Sequence, residues 1–221
     1  MALATSNRNA IQAAAGQIFL LAALTTVVGT TADAIATELY SKFYTDGSIR
    51  GALAAGITPW AVLDKNGYKD KIQGKEIKID PNDGPEETIG LEDISYTGEI
   101  TIYDVDAQHM KDVLSATATN VLTLAASATQ AGRETLIAGG QRILADYMLL
   151  YRYPSRKAPG EFNNILVPKC TIAINADREN SKGKARDLKV TINAKAFDLL
   201  LDPVTNLPSL WLEDFVINPK A

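Results

Sequence analysis

The segment ISYTGEITIY, from Ile94 to Tyr103, places Ile94, Tyr96, Gly98, Ile100 and Ile102 on one side of an extended chain. Ser95, Thr97, Glu99, Thr101 and Tyr103 fall on the other. Alternation of period two specifies a strand with one dry face and one wet face. The pattern returns in PKCTIAINAD (168–177) and DLKVTINAKAF (187–197), two strands of matched length joined by the polar, glycine-containing RENSKGKAR (178–186). That arrangement predicts a hairpin with a long charged tip. Arg178, Lys182, Lys184 and Arg186 make the tip basic in an acidic protein, either as a solvated end or as a contact for an acidic surface of a neighbouring copy.

Shorter strands are expected at 74–80, 119–126 and 142–154, the last apolar on both faces as in a central or interface strand. The loosely alternating 36–44 also reads as a strand. LPSLWLEDFVI, with Leu210, Leu212 and Phe215, reads as a final strand or arm. Asp106 is placed to cap a short helix whose apolar face holds Met110, Val113 and Leu114. These pieces predict a mainly β fold, an antiparallel sandwich or barrel with one flanking short helix. No repeat or linker divides residues 1–221, so one domain is expected, with an N-terminal arm over about 1–35 and a long loop over about 45–67.

Residues 18–34 imitate a secretory leader, with an apolar run followed by Ala-Asp-Ala. The stretch ahead of the run is long and polar for such a leader. The run itself is too short, and too broken by threonine and glycine, to span a bilayer. A structural helix fits better, with Ser6 or Asn7 as N-cap and Ile11, Ala14, Ala15, Ile18 and Ala22 on one face. After Leu24, the β-branched TTVVGTT favours a strand or extended arm.

The 45–67 loop is broken by Gly47, Gly51, Gly56 and Pro59 yet rich in apolar side chains. Such a loop is either folded back on the core or reserved for another subunit. Ile49, Leu53, Ile57 and Trp60 are the candidate subunit contacts, with Trp60 as the anchor that fills a neighbour's pocket.

Catalytic equipment is sparse. The chain has 1 histidine and 1 cysteine, so no disulfide can form within it. Cys170 lies in phase with Ile172 and Ile174 and reads as a small core hydrophobe. His109, between polar neighbours, reads as a surface or boundary residue. Asp80, Asn82 and Asp83 invite a calcium reading, but the sixth loop position holds Pro85 where glycine is needed. Gly139-Gly140 lacks the Lys-Ser/Thr continuation of a phosphate loop. Neither an enzyme nor a cofactor is expected. With 22 basic against 26 acidic residues, specific nucleic-acid binding is disfavoured as well.

The order of elements resembles that of the tail tube (major tail) proteins of tailed bacteriophages. The likeness rests on DISYTGEITIYDVDAQHMKDVLSA, an alternating strand followed by an aspartate-led helix and a small-residue turn. It continues through LLYRYPS and the late pair that returns to Ala196-Phe197-Asp198, covering roughly residues 70–200. The resemblance implies a β-sandwich or barrel with a flanking helix, assembled as hexameric rings stacked into a hollow tube in the virion after assembly in the host cytoplasm. Partners would be other copies of the chain and tail proteins such as sheath, tape measure, baseplate or terminator. DNA would pass through the lumen without specific binding, helped by the acidic balance of the subunit, and no membrane would be involved. Alternatives are a terminator or adaptor ring of the tail, or an exported β-sandwich surface or pilus subunit cleaved after Ala34.

Overall fold

Why a chain with this much alternation should curl up follows from its pairing. A computed structural model describes residues 16–48, 50–79, 87–103, 105, 107–114, 121–137, 143–174 and 188–217. Its elements are β1 (Gln17–Ala22), α1 (Ala32–Ser41), β2 (Val62–Ile79), β3 (Glu87–Tyr103), α2 (Ala107–Val113), β4 (Val121–Leu124) and β5 (Arg133–Leu136). There follow β6 (Tyr147–Pro154), β7 (Phe162–Ile174), β8 (Leu188–Ala194), β9 (Phe197–Leu201), β10 (Pro208–Ser209) and β11 (Leu212–Asp214). With 53% strand against 10% helix among the described residues, the fold is mainly β.

The main sheet is antiparallel in the order β1-β6-β7-β8-β3-β2, with β11 added along the first half of β7. Its ends meet. Ile18 of β1 bridges Ala61, next to β2, and the Trp60 N–H donates to the Ile18 carbonyl at 2.7 Å. The sheet therefore closes on itself in the manner of a small barrel, which shelters two edges that would otherwise lie open.

Inside the curl, alternate residues of each strand form one core, including Ile100, Ile102, Leu149, Val167, Ile172 and Ile192. Met110 and Val113 of α2 join it. The opposite face of β1, β6 and β7 is covered too. Phe19, Met148, Leu150 and Leu166 point away from the first core and pack with Leu39 and Phe43 of the α1 region and Phe197 of β9. Burial on both sides is why Met148, Leu149 and Leu150 run apolar without a break.

Three expectations are corrected. Residues 17–22 are strand, not the end of a helix, because pairing with β6 runs from Gln17↔Arg152 to Ala22↔Tyr147 and the two faces feed both cores. Tertiary pairing outweighs the helical spacing here; the proposed helix start lies outside the described residues. Residues 36–44, read as a strand, fall mostly in α1, where Ile35 and Leu39 share a buried face. Thr31 caps that helix, its Oγ1 accepting from the Ala34 N–H at 3.3 Å. Glu38 accepts from Val28 and Gly29 at 2.8 and 3.0 Å. The bonds from Gly29 and then Val28 hold its carboxyl below the usual range. Finally, His109 is buried, only 8% exposed, and its Nε2 lies 2.7 Å from the Trp60 carbonyl, to which Nε2–H donates. His109 stands four residues before Val113, so it shares the inward face of α2. Asp106, expected as the cap of this helix, lies outside the described residues.

Cys170 is fully buried in the first core, where burial, and then the charge of Asp146, pushes its thiol up to about 12. The thiolate is the reactive form. Labelling of the native chain by a polar thiol reagent should therefore follow the rate of unfolding; labelling as fast as that of a free thiol would contradict this placement.

Candidate functional site

The most exposed architecture is a two-stranded ribbon. β3 pairs with β8 only from Thr97↔Asn193 to Ile102↔Leu188, but its pairing with β2 continues out to Ile79↔Glu87. Past Lys71↔Thr97, eight further residues of β2, each rising about 3.3 Å, extend the hairpin roughly 26 Å beyond the body of the sheet. Side chains 69–78 and 92–95 are exposed. Among them are Ile72, Ile77 and Ile94, the last placed on the dry face by its alternation.

Register shifts between Gln73 and Lys75 and between Ile77 and Lys78, and Asp93 sits at φ 53. Such bulges bend and twist a ribbon. The Lys75–Glu92 pair at 2.6 Å is largely solvated and contributes little. Among the described residues no strand pairs with either outer edge of the distal ribbon. A ribbon of two strands has marginal stability by itself, and its open edges offer backbone donors and acceptors to another chain.

At the root of the ribbon, the outward face of β2, β3 and β8 carries charged and hydroxyl side chains. Lys69 faces Glu99, Glu99 faces Thr191, and Thr101 faces Lys189 across the strands. With Lys71, this patch carries more lysine than carboxylate, so the acidic balance of the chain is not expressed on it.

The candidate contacts of the 45–67 loop are engaged inside the subunit. Leu53 and Ile57 pack on the outer core, and Leu53 bridges Tyr44. Trp60 packs on the inner core, its indole N–H donating to Asp112 Oδ2 at 2.7 Å and its ring 5.6 Å from that of His109. The loop is held further by Arg50, which lies over the Tyr40 ring and pairs with Asp214 at 3.0 Å. Asn164 donates to the same carboxylate at 3.0 Å and accepts from the Tyr44 hydroxyl at 2.5 Å. Burial pushes the Tyr44 phenol up to about 12. This network fastens loop, β7 and β11 together.

Irregular chain without a period gives no sign of what covers it, so these partners leave no mark in the sequence. Ile49 lies outside the described residues, as do Arg178, Lys182, Lys184 and Arg186. Trp60→Ala should consequently lower subunit stability by about 2–3 kcal/mol, below the range for a fully buried ring because Trp60 is only partly buried. A chemical denaturation midpoint equal to that of the parent would contradict the placement.

Among the described residues, no group of three or more His, Cys, Asp or Glu is placed to hold a metal ion, and no helix is long and apolar enough to cross a membrane. No protein-family model and no curated protein matches the chain.

Proposed function

We propose that this chain is a structural subunit of a bacteriophage tail tube, assembling with copies of itself into hexameric rings that stack around a DNA channel. The observation that carries the reading is the β2–β3 ribbon: a curled sheet with a hydrogen-bonding arm that reaches well past its own core. Among the described residues nothing pairs with the outer edges of that arm, which suits it to a neighbouring copy. The order of strand, short helix and late strand pair, together with the mainly β body, supports the same assignment. Other tail proteins would meet the ends and outside of such a tube.

The exported-subunit alternative is disfavoured by β1. Cleavage after Ala34 would remove Ile18 and Phe19, which are fully buried in the two cores, and the bridge that closes the sheet.

The reading is tested by light scattering on the purified chain over a range of concentration and salt. Growth of mass toward and beyond six copies is the expected result. A monomeric mass under all conditions, and in the presence of preformed tail tips as initiators, would overturn it.

A further inference from the structure

The β4–β5 hairpin has two unlike faces. Its inner face is tied to the body, with Leu136 packed on the inner core and Glu134 paired to Lys111 of α2 at 2.9 Å. Its outer face carries Leu122 and Leu124, which are 59% and 49% exposed. Cross-strand pairing sets Leu124 directly opposite Arg133, so a cation stands beside the two leucines. A two-stranded hairpin is marginally stable alone and gains from having its second face covered.

A second bare patch lies on the other layer of the molecule, where β9 packs on α1. Leu201, Val204 and Leu207 are 45%, 86% and 64% exposed around the turn that joins β9 to β10. The charge here is acidic. Asp202 caps the turn by accepting from Val204 and Thr205 at 2.8 Å each. Those two backbone bonds, Thr205's first, hold the Asp202 carboxyl below its usual range, so it stays ionised at neutral pH.

The two patches belong to different cores and do not cover one another within the chain. They match in character, each apolar at its centre and of opposite charge at its margin. We infer that the outer face of the β4–β5 hairpin docks on the β9–β10 turn of a second copy, with Arg133 meeting Asp202. The contact joins two unlike surfaces. Repeated from copy to copy it is therefore heterologous, and it closes into a ring when the rotation per subunit permits. This inference rests on the self-assembly proposed above and names the surfaces that make one of its contacts.

Buried Cys170 leaves the chain free for surface cysteines as reporters. Leu124→Cys and Leu207→Cys are prepared separately, and each is treated alone and in an equal mixture with a short bismaleimide. The contact predicts that the mixture yields about tenfold more cross-linked dimer than either variant alone. Adding Arg133→Glu to the Leu124→Cys chain should lower that yield several-fold. Equal cross-linking of one variant with itself would overturn the inference in favour of a like-to-like pairing. Absence of mixed cross-links while the parent chain forms rings would overturn the contact and leave the tail-tube reading standing. Absence of both cross-links and rings would overturn the two together.

Discussion

Gly98→Val should destabilise the subunit by about 3 kcal/mol, although valine is the better strand former of the two. The cause is the ring of Tyr68. A Cβ at position 98 would lie 2.5 Å from Tyr68 Cε2 and 2.6 Å from Cζ, far inside van der Waals contact. The tyrosine cannot retreat freely. Its hydroxyl is 3.0 Å from that of Tyr96, its ring centroid is 4.9 Å from that of Tyr151, and Tyr96 stacks on Trp211 at 5.1 Å. Moving one ring disturbs the whole aromatic packing inside the curl. Burial, followed by the neighbouring Tyr96 hydroxyl, raises the Tyr68 phenol far above its ordinary range. A native state that excludes phenolate loses stability as pH rises above about 10, where the unfolded phenol ionises. Urea denaturation measures the effect of Gly98→Val, and a double-mutant cycle assigns it. In a Tyr68→Ala background, the added cost of Gly98→Val should fall below about 1 kcal/mol. An undiminished cost in that background would show that the clash is not with the ring.

Shortening the ribbon should separate assembly from folding. Replacing residues 74–94 by an Asn-Gly turn retains the Gln73↔Ser95 pair and every pairing between β3 and β8. The removed side chains whose burial is described are exposed, so melting should shift by no more than about 3 °C. Assembly, in contrast, should be abolished, because the open edges together with Ile77 and Ile94 are gone. Parallel calorimetry and sedimentation distinguish the outcomes. Normal assembly of the shortened chain would remove the ribbon from the contact set, and loss of folding would make it part of the core.

The strands with one buried face were legible from alternation alone, as at Ile100 and Ile102 or at Cys170 and Ile172, because exposure to water on one side writes the period into the sequence. Where burial is two-sided or absent, that signal fails. β1 is buried on both faces and read as helix, since Ile18 and Phe19 serve different cores. Distal β2 is exposed on both faces, so KDKIQGKEIKI gave only a short strand where 18 residues are extended. α1 is a short helix with a sound apolar face, but Leu39, Tyr40 and Phe43 also fit a loose alternation, and a threonine cap without a following glutamate is a weak start signal. The candidate contacts suffered from the same limit. The glycine-broken loop is apolar, but its Leu53 and Trp60 have partners inside the subunit. Exposed apolar side chains stand on the polar-looking ribbon, at the β9–β10 turn and on the β4–β5 hairpin, whose leucines differ from core leucines only in what surrounds them.

Electron microscopy of the assembled protein with helical reconstruction tests the central claim most directly. Stacked six-membered rings around an open axis, with the β2–β3 ribbon of each subunit lying against another copy, are the predicted result. Threads without a central channel, or particles in which the ribbon projects into solvent untouched, would contradict it.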